Sequence, residues 1–376
     1  MARYAWLVET FWATRFGAMT DRFGINWMDQ LHEVMSNPGG SKGTRDKDCV
    51  ATGASDPREK CGGRMRLCAT MSNASSFSCS LVITRSHTAA TRSVGSERAI
   101  WIFIAIAYAQ SVALSLVIGL TGGYRSPWIA FGYVSMVIPA ISALLANAIV
   151  KDGRWAIAWD RLPLRYIPCA LFLMPLVLHA AMLPAAAALG TLHWQDWLTE
   201  SRDGLYHTPE TLGWGVLTRS GLIARMAVNA IVGVMIVSIL ALFEEIGWRG
   251  WLLPRLIERH GARRAVAICS AVWAVWHVPY MLAGIQHLEG VPLRWVVLVV
   301  PAGIFGSGLV IGWLWLRTGS IWIAAIAHGA LNHWGQYAFK FVAGEGQPLD
   351  ALVLASGEVA LIIVGLILLC WRVRRD

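Results

Sequence analysis

Charged residues are scarce in this chain: Asp, Glu, Lys and Arg make up 15% of its 376 residues, against about 25% in soluble domains. Hydrophobic residues reach 56%, more than a soluble core can absorb, so the composition excludes a soluble globular fold. Cysteine pairs at functional spacing are also missing. Cys49, Cys61, Cys68 and Cys79 lie in the N-terminal region and Cys169, Cys269 and Cys370 in apolar runs, and none forms the C-x-x-C of a zinc or redox site. No H-E-x-x-H helix is present, since His32-Glu33 begins one but Ser36 stands where the second His belongs. The net charge of +9 sits in short loops and not along one amphipathic surface, which argues against nucleic acid as a partner. Tyr4 to Phe16 is apolar but broken by charge, without the arrangement of a signal peptide.

What remains are apolar runs of about 18 or more residues, the length a helix needs to cross the hydrocarbon of a bilayer. Eight are expected: Ala99 to Leu120, Trp128 to Val150, Ile167 to Leu192, Ala227 to about Leu242, Ala265 to Leu282, Trp295 to Leu316, Ile321 to about Phe339 and Leu352 to Trp371. The expected fold is therefore all-α, a polytopic membrane helical bundle of about eight transmembrane helices over residues 96–376. Basic residues fall in alternate loops: Lys151, Arg154, Arg161 and Arg165, then Arg255, Arg259, Arg263 and Arg264, then Arg372, Arg374 and Arg375. By the positive-inside rule those loops and both termini face the cytoplasm, across the plasma membrane if the source is bacterial. The connection His193 to Ser220, with Asp196, Glu200, Asp203 and Glu210, reads as external. Residues 1–95 are rich in Ser, Gly, Arg and Thr without periodicity and read as a poorly structured region; a start downstream, for example at Met71, would remove most of it. The sequon Asn73-Ala74-Ser75 there would face the cytoplasm and stay unused. Gly308 and Gly312 form a G-x-x-x-G pair, read as helix packing.

Three of the spans contain groups that hydrocarbon does not tolerate without a reason. Glu244-Glu245-Ile246-Gly247-Trp248-Arg249 places Glu245 and Arg249 four apart, on one helical face. Glu244 points about 100° away from Glu245 on such a helix, so one carboxylate can pair with Arg249 while the other stays free. Trp273-Ala274-Val275-Trp276-His277 places a histidine in the next span, and a turn at Gly261 would bring it to the depth of Glu244. His328 and Asn332, again four apart, share a face of the seventh, while His333 points elsewhere. Singly, each has a structural explanation as an interhelical hydrogen bond or ion pair. Two carboxylates, two histidines and an asparagine at similar depth on three helices instead point to chemistry.

The ordered set E-E-x-x-x-R, aromatic-x-x-x-H and H-x-x-x-N resembles the CPBP family of intramembrane proteases, also called the Abi or CAAX protease and bacteriocin-processing family, which includes the type II CAAX prenyl endopeptidases. The resemblance covers about residues 225–340 and departs from the common pattern at Trp273, where the family more often has Phe. It implies an intramembrane endopeptidase with Glu244, Glu245, Arg249, His277, His328 and Asn332 as catalytic residues. In that reading Glu244 and His277 activate a water, His328 and Asn332 stabilise the oxyanion, and Glu245 with Arg249 holds the geometry. The implied partners are the lipid bilayer and a membrane-associated peptide or lipidated protein substrate. The cofactor stays open: the family is commonly called metalloproteases, and Glu and His are zinc ligands, but a metal-independent Glu/His mechanism serves equally. Two alternatives are a proton- or cation-coupled transporter, against which the two halves show no repeated hydropathy pattern, and an inactive family member acting in bacteriocin immunity.

Overall fold

The computed structural model describes residues 80–370 except 152–154, 156, 193–199, 209–213, 287, 289–290 and 344–348. Of the region expected to be poorly structured, residues 1–79 lie outside this range, as do Cys49, Cys61, Cys68, Cys79, the sequon and the C-terminal arginines. The bundle described below belongs to the compact unit that contains residues 92–376.

The helices are α1 (Ser80–Leu120), α2 (Ile138–Val150), α3 (Ile167–Leu189), α4 (Arg219–Val228), α5 (Val234–Glu245), α6 (Leu253–His260), α7 (Ala262–Trp276), α8 (Val278–Leu282), α9 (Leu293–Thr318), α10 (Ile321–Ala343) and α11 (Ala351–Cys370). Two-residue strands Tyr206–His207 and Val216–Leu217 pair antiparallel in the connection between α3 and α4, a minor addition to an all-helical bundle. A 3-10 run, Ile129–Val137, precedes α2, and α2 starts in register with Pro139, whose missing N–H costs nothing in a first helical turn.

Seven helical segments are long and apolar enough to span a bilayer among the described residues, one fewer than expected from the sequence. The difference is α10, which has 23 residues but carries His328, Asn332 and His333, so its apolarity falls short. Its position explains how lipid-depth polarity is tolerated: α10 packs against α3, α5 and α9, where neighbouring helices and not lipid surround it. The fourth span also differs. It does not end near Leu242 but continues through a helical stretch from Arg219 to His260, 42 residues or about 63 Å if straight. Two π-helical segments, Asn229–Gly233 and Ile246–Leu252, interrupt it. The second lies against α2 so closely that a Cβ on Gly247 would come within 2.6 Å of Pro139. Glycine is what lets this widened turn press on its neighbour.

Small residues and hydrogen bonds knit the bundle where lipid supplies no hydrophobic drive. A Cβ on Gly308 would lie 2.6 Å from the Ser270 hydroxyl, and one on Gly312 would lie 2.5 Å from Val266, so the G-x-x-x-G pair is the α9–α7 contact. From α1, the Tyr108 hydroxyl donates to the Val272 carbonyl at 2.7 Å and the Ser111 hydroxyl to that of Trp276 at 3.2 Å. The Trp276 indole returns a bond to the Ala107 carbonyl at 3.1 Å. Phe103 of α1 stacks on Trp251 with ring centroids 5.0 Å apart, closing an aromatic layer with Trp248 and Trp276.

The ends of the helices segregate. Arg259 pairs with Glu97 at 2.7 Å, Arg263 donates to the Cys370 carbonyl at 3.2 Å, and Arg161 donates to the Thr318 carbonyl at 3.5 Å. The start of the first span, the end of the last and the basic connections thus share one side. Arg255 is not a free loop charge: it is buried, with its guanidinium 3.8 Å from the Trp251 ring centre.

Candidate active site

The break between α7 and α8 is built by Pro279. Proline has no N–H to bond to the carbonyl four residues back and crowds the residue before it, so the helix opens at His277 (φ −81°, ψ −18°). The ring then folds back, and its Nδ1 lies 2.9 Å from the Trp273 carbonyl. A carbonyl only accepts, so Nδ1 carries the hydrogen and Nε2 presents a lone pair. The arrangement fixes His277 as the tautomer a general base needs.

Gly261 turns the chain from α6 into α7 with φ +74°, a left-handed-side conformation that suits glycine. This hairpin brings Trp273 beside Glu244, and the indole Nε1 donates to Glu244 Oε2 at 2.8 Å. Phenylalanine at 273 could not make this bond. One tryptophan therefore anchors both members of the expected water-activating pair, Glu244 through its ring and His277 through its backbone.

The second carboxylate is held separately. Arg249 Nη1 donates to Glu245 Oε1 at 2.8 Å, the i, i+4 contact expected from the sequence, and Arg249 Nη2 reaches the Gly308 carbonyl of α9 at 3.4 Å. His328 Nδ1 lies 2.9 Å from the same Glu245 oxygen, with the carboxylate as acceptor. The guanidinium also sits 4.9 Å from the Trp273 ring centre, within cation–π range, and the Trp273 and His328 rings meet edge-on at 4.9 Å. Glu244, Glu245, Arg249, His277 and His328 are all buried, and Asn332 is half-buried. The three motifs converge.

They do not all reach the same space. A cavity with about 90 Å³ for water-sized occupants is lined by Trp273, His277, His328 and Asn332, enough for several waters at roughly 10–15 Å³ each. Among the described residues its lining does not include Glu244, Glu245 or Arg249. Glu244 stands one layer back, behind the Trp273 ring. His333 faces elsewhere, as expected, packing its ring over Gly233.

Sequence reasoning missed three polar residues of this cavity, Gln286 between α8 and α9, Ser307 of α9 and Glu358 of α11. Glu358 had a legible signal, a lone carboxylate within an apolar span, but it belongs to none of the three motifs. Ser307 had none, since serine is common in transmembrane helices. The donor set does not fit a catalytic zinc. Among the described residues no three His, Cys, Asp or Glu side chains converge to hold a metal ion, whereas such a zinc takes three protein ligands.

Residues 224–334 match the model of a family described as Type II CAAX prenyl endopeptidase Rce1-like, a segment that contains all six candidate site residues. Over 95 residues the chain is 30% identical to the CAAX prenyl protease 2 of Methanococcus maripaludis. That match covers 24% of this chain and 35% of the relative, so the likeness is to the core and not to the whole of either protein.

Proposed function

We propose that this chain, whose core is like that of type II CAAX prenyl endopeptidases, is an intramembrane endopeptidase acting on a membrane-associated or lipid-modified peptide. The observation that carries the reading is the 2.9 Å contact of the buried His277 Nδ1 with the Trp273 carbonyl, which in the neutral ring leaves Nε2 at the cavity wall to accept a proton. A water held at His277 Nε2 is deprotonated as its oxygen bonds to the peptide carbonyl carbon, and Glu244 shares that water once the Trp273 ring, which stands between it and the cavity, turns aside. The proton then passes to the departing amine as the C–N bond breaks, which leaves a carboxylic acid and an amine.

The carbonyl oxygen becomes an oxyanion in the intermediate, and Asn332 with His328 Nε2 supplies its donors. His328 donates through both nitrogens only as an imidazolium, and the Glu245 carboxylate at Nδ1 is the counter-charge for that state. Arg249 keeps Glu245 in place. The metal-free route is the one this donor set supports.

The test is cleavage of quenched fluorescent peptides, prenylated and plain, by purified protein in detergent. Asn332→Ala and His328→Ala should each lower kcat about 10²–10³-fold, the usual cost of losing one oxyanion donor, with KM little changed. Chelator should leave wild-type cleavage intact. No cleavage of any peptide, together with Glu244-dependent proton flux in liposomes, would replace this reading by transport.

The shared side of the basic connections supports an orientation with that side and both termini in the cytoplasm. Single cysteines at Ser201 and Arg263 in a cysteine-free background should react with an impermeant maleimide from outside and inside respectively. Reversed labelling overturns the orientation.

A further inference from the structure

The last helix carries a carboxylate to which the proteolytic steps give no task. Glu358 of α11 lines the same cavity as His277, His328 and Asn332 and is half-buried. The facing helix makes room for it: a Cβ on Gly303 of α9 would overlap the Glu358 carboxylate. Among the described residues Glu358 has neither a hydrogen-bond donor nor an ion-pair partner. A carboxylate at this depth is costly unless something neutralises it, and no described Lys or Arg lines the cavity. Arg249 is already committed to Glu245. Apart from Gln286 and Ser307 most of the remaining wall is aliphatic, including Val296, Val300, Leu354 and Leu361, so a cation that meets Glu358 in this cavity enters with a ligand.

We infer that Glu358 is a substrate-binding residue of this site and takes an ammonium or guanidinium group of the substrate chain. The inference rests on the proteolytic reading for the nature of the ligand. Glu358 shares the cavity with His277, so the basic residue it selects stands on the same substrate chain as the bond that is cut.

The test uses the full chain in nanodiscs and a set of fluorescein-labelled peptides in which one position at a time is either Lys or its uncharged isostere norleucine. At one position Lys should bind about tenfold or more tighter than norleucine, the scale of a charge-assisted contact. Glu358→Gln should bring that ratio close to one without weakening the norleucine peptide. Glu358→Lys should reverse the preference toward a peptide with Glu at that position. Gly303→Ala, which crowds the carboxylate from the other side, should lower the Lys preference in protein that keeps an acidic residue at 358. An unchanged ratio in Glu358→Gln overturns the inference, and so does a wild type without Lys preference at any position. Cleavage of the same peptides separates the two claims. A Lys preference that depends on Glu358 in a protein that cuts nothing keeps the cation site and sinks proteolysis. Cleavage indifferent to both Lys and Glu358 sinks the cation site alone.

Discussion

Glu244→Gln should lower peptide cleavage about 10²–10⁴-fold, the range spanned by loss of a positioned general acid or base. His277→Ala should cost a similar factor, and the double variant little more than the worse single one, because groups that act on one water fail together. Glutamine keeps the size of Glu244 and can still accept from the Trp273 indole, which lies 2.8 Å from Oε2 in the wild type. Fold and anchoring then survive while the proton acceptor is lost. The experiment is decisive because Glu244 stands behind the Trp273 ring and not in the cavity wall. If Glu244→Gln keeps more than a tenth of wild-type kcat while His277→Ala is dead, His277 is the sole base and Glu244 serves as an anchor for Trp273.

Arg249→Met should destabilise the protein by about 3–5 kcal/mol, the cost of removing one partner of a buried ion pair, with His328 Nδ1 left as the remaining partner of Glu245 Oε1. Arg249 is 1% exposed and Glu245 is fully buried, so water cannot take over the pairing. Methionine preserves much of the volume beside Trp273, which isolates the electrostatic loss from a cavity effect. The expected readout is a fall in the unfolding midpoint in detergent together with loss of cleavage. Adding Glu245→Gln removes the carboxylate that Arg249 paired and should recover part of the stability but none of the activity, since His328 would lack its counter-charge. Recovery of neither would show that Arg249 acts mainly through its bond to the Gly308 carbonyl. A wild-type midpoint for Arg249→Met would reduce the pair to a bystander.

Membrane class and an all-helical bundle were legible in sequence, and the six candidate site residues stood out in it, because each is a local property. An apolar run long enough to cross a bilayer needs no knowledge of its neighbours, and a charge within it is conspicuous wherever the helix packs. The pairing of Glu245 with Arg249 was legible for the same reason, since residues four apart on a helix meet regardless of context. The span count was less so: α10 is polar enough to miss the apolarity of a spanning helix, and only its packing between α3, α5 and α9 accounts for that polarity.

Beyond these, the arrangement depends on contacts between helices that spacing does not encode. The fourth span runs on to His260 through a π-helical turn because Gly247 can press against Pro139. Trp273 looked like an aromatic variant of a motif position, and tertiary structure makes it the residue that donates to Glu244 and accepts from His277. Glu358 stands in a different helix from every motif, and the recess at Gly303 brings it to the same cavity. The sequence by itself determined which groups would be buried at membrane depth, because that follows from composition along one chain segment. Only the tertiary structure decided which of them touch, which face the cavity and which stand behind it, because those depend on the rotation and approach of helices packed through glycine.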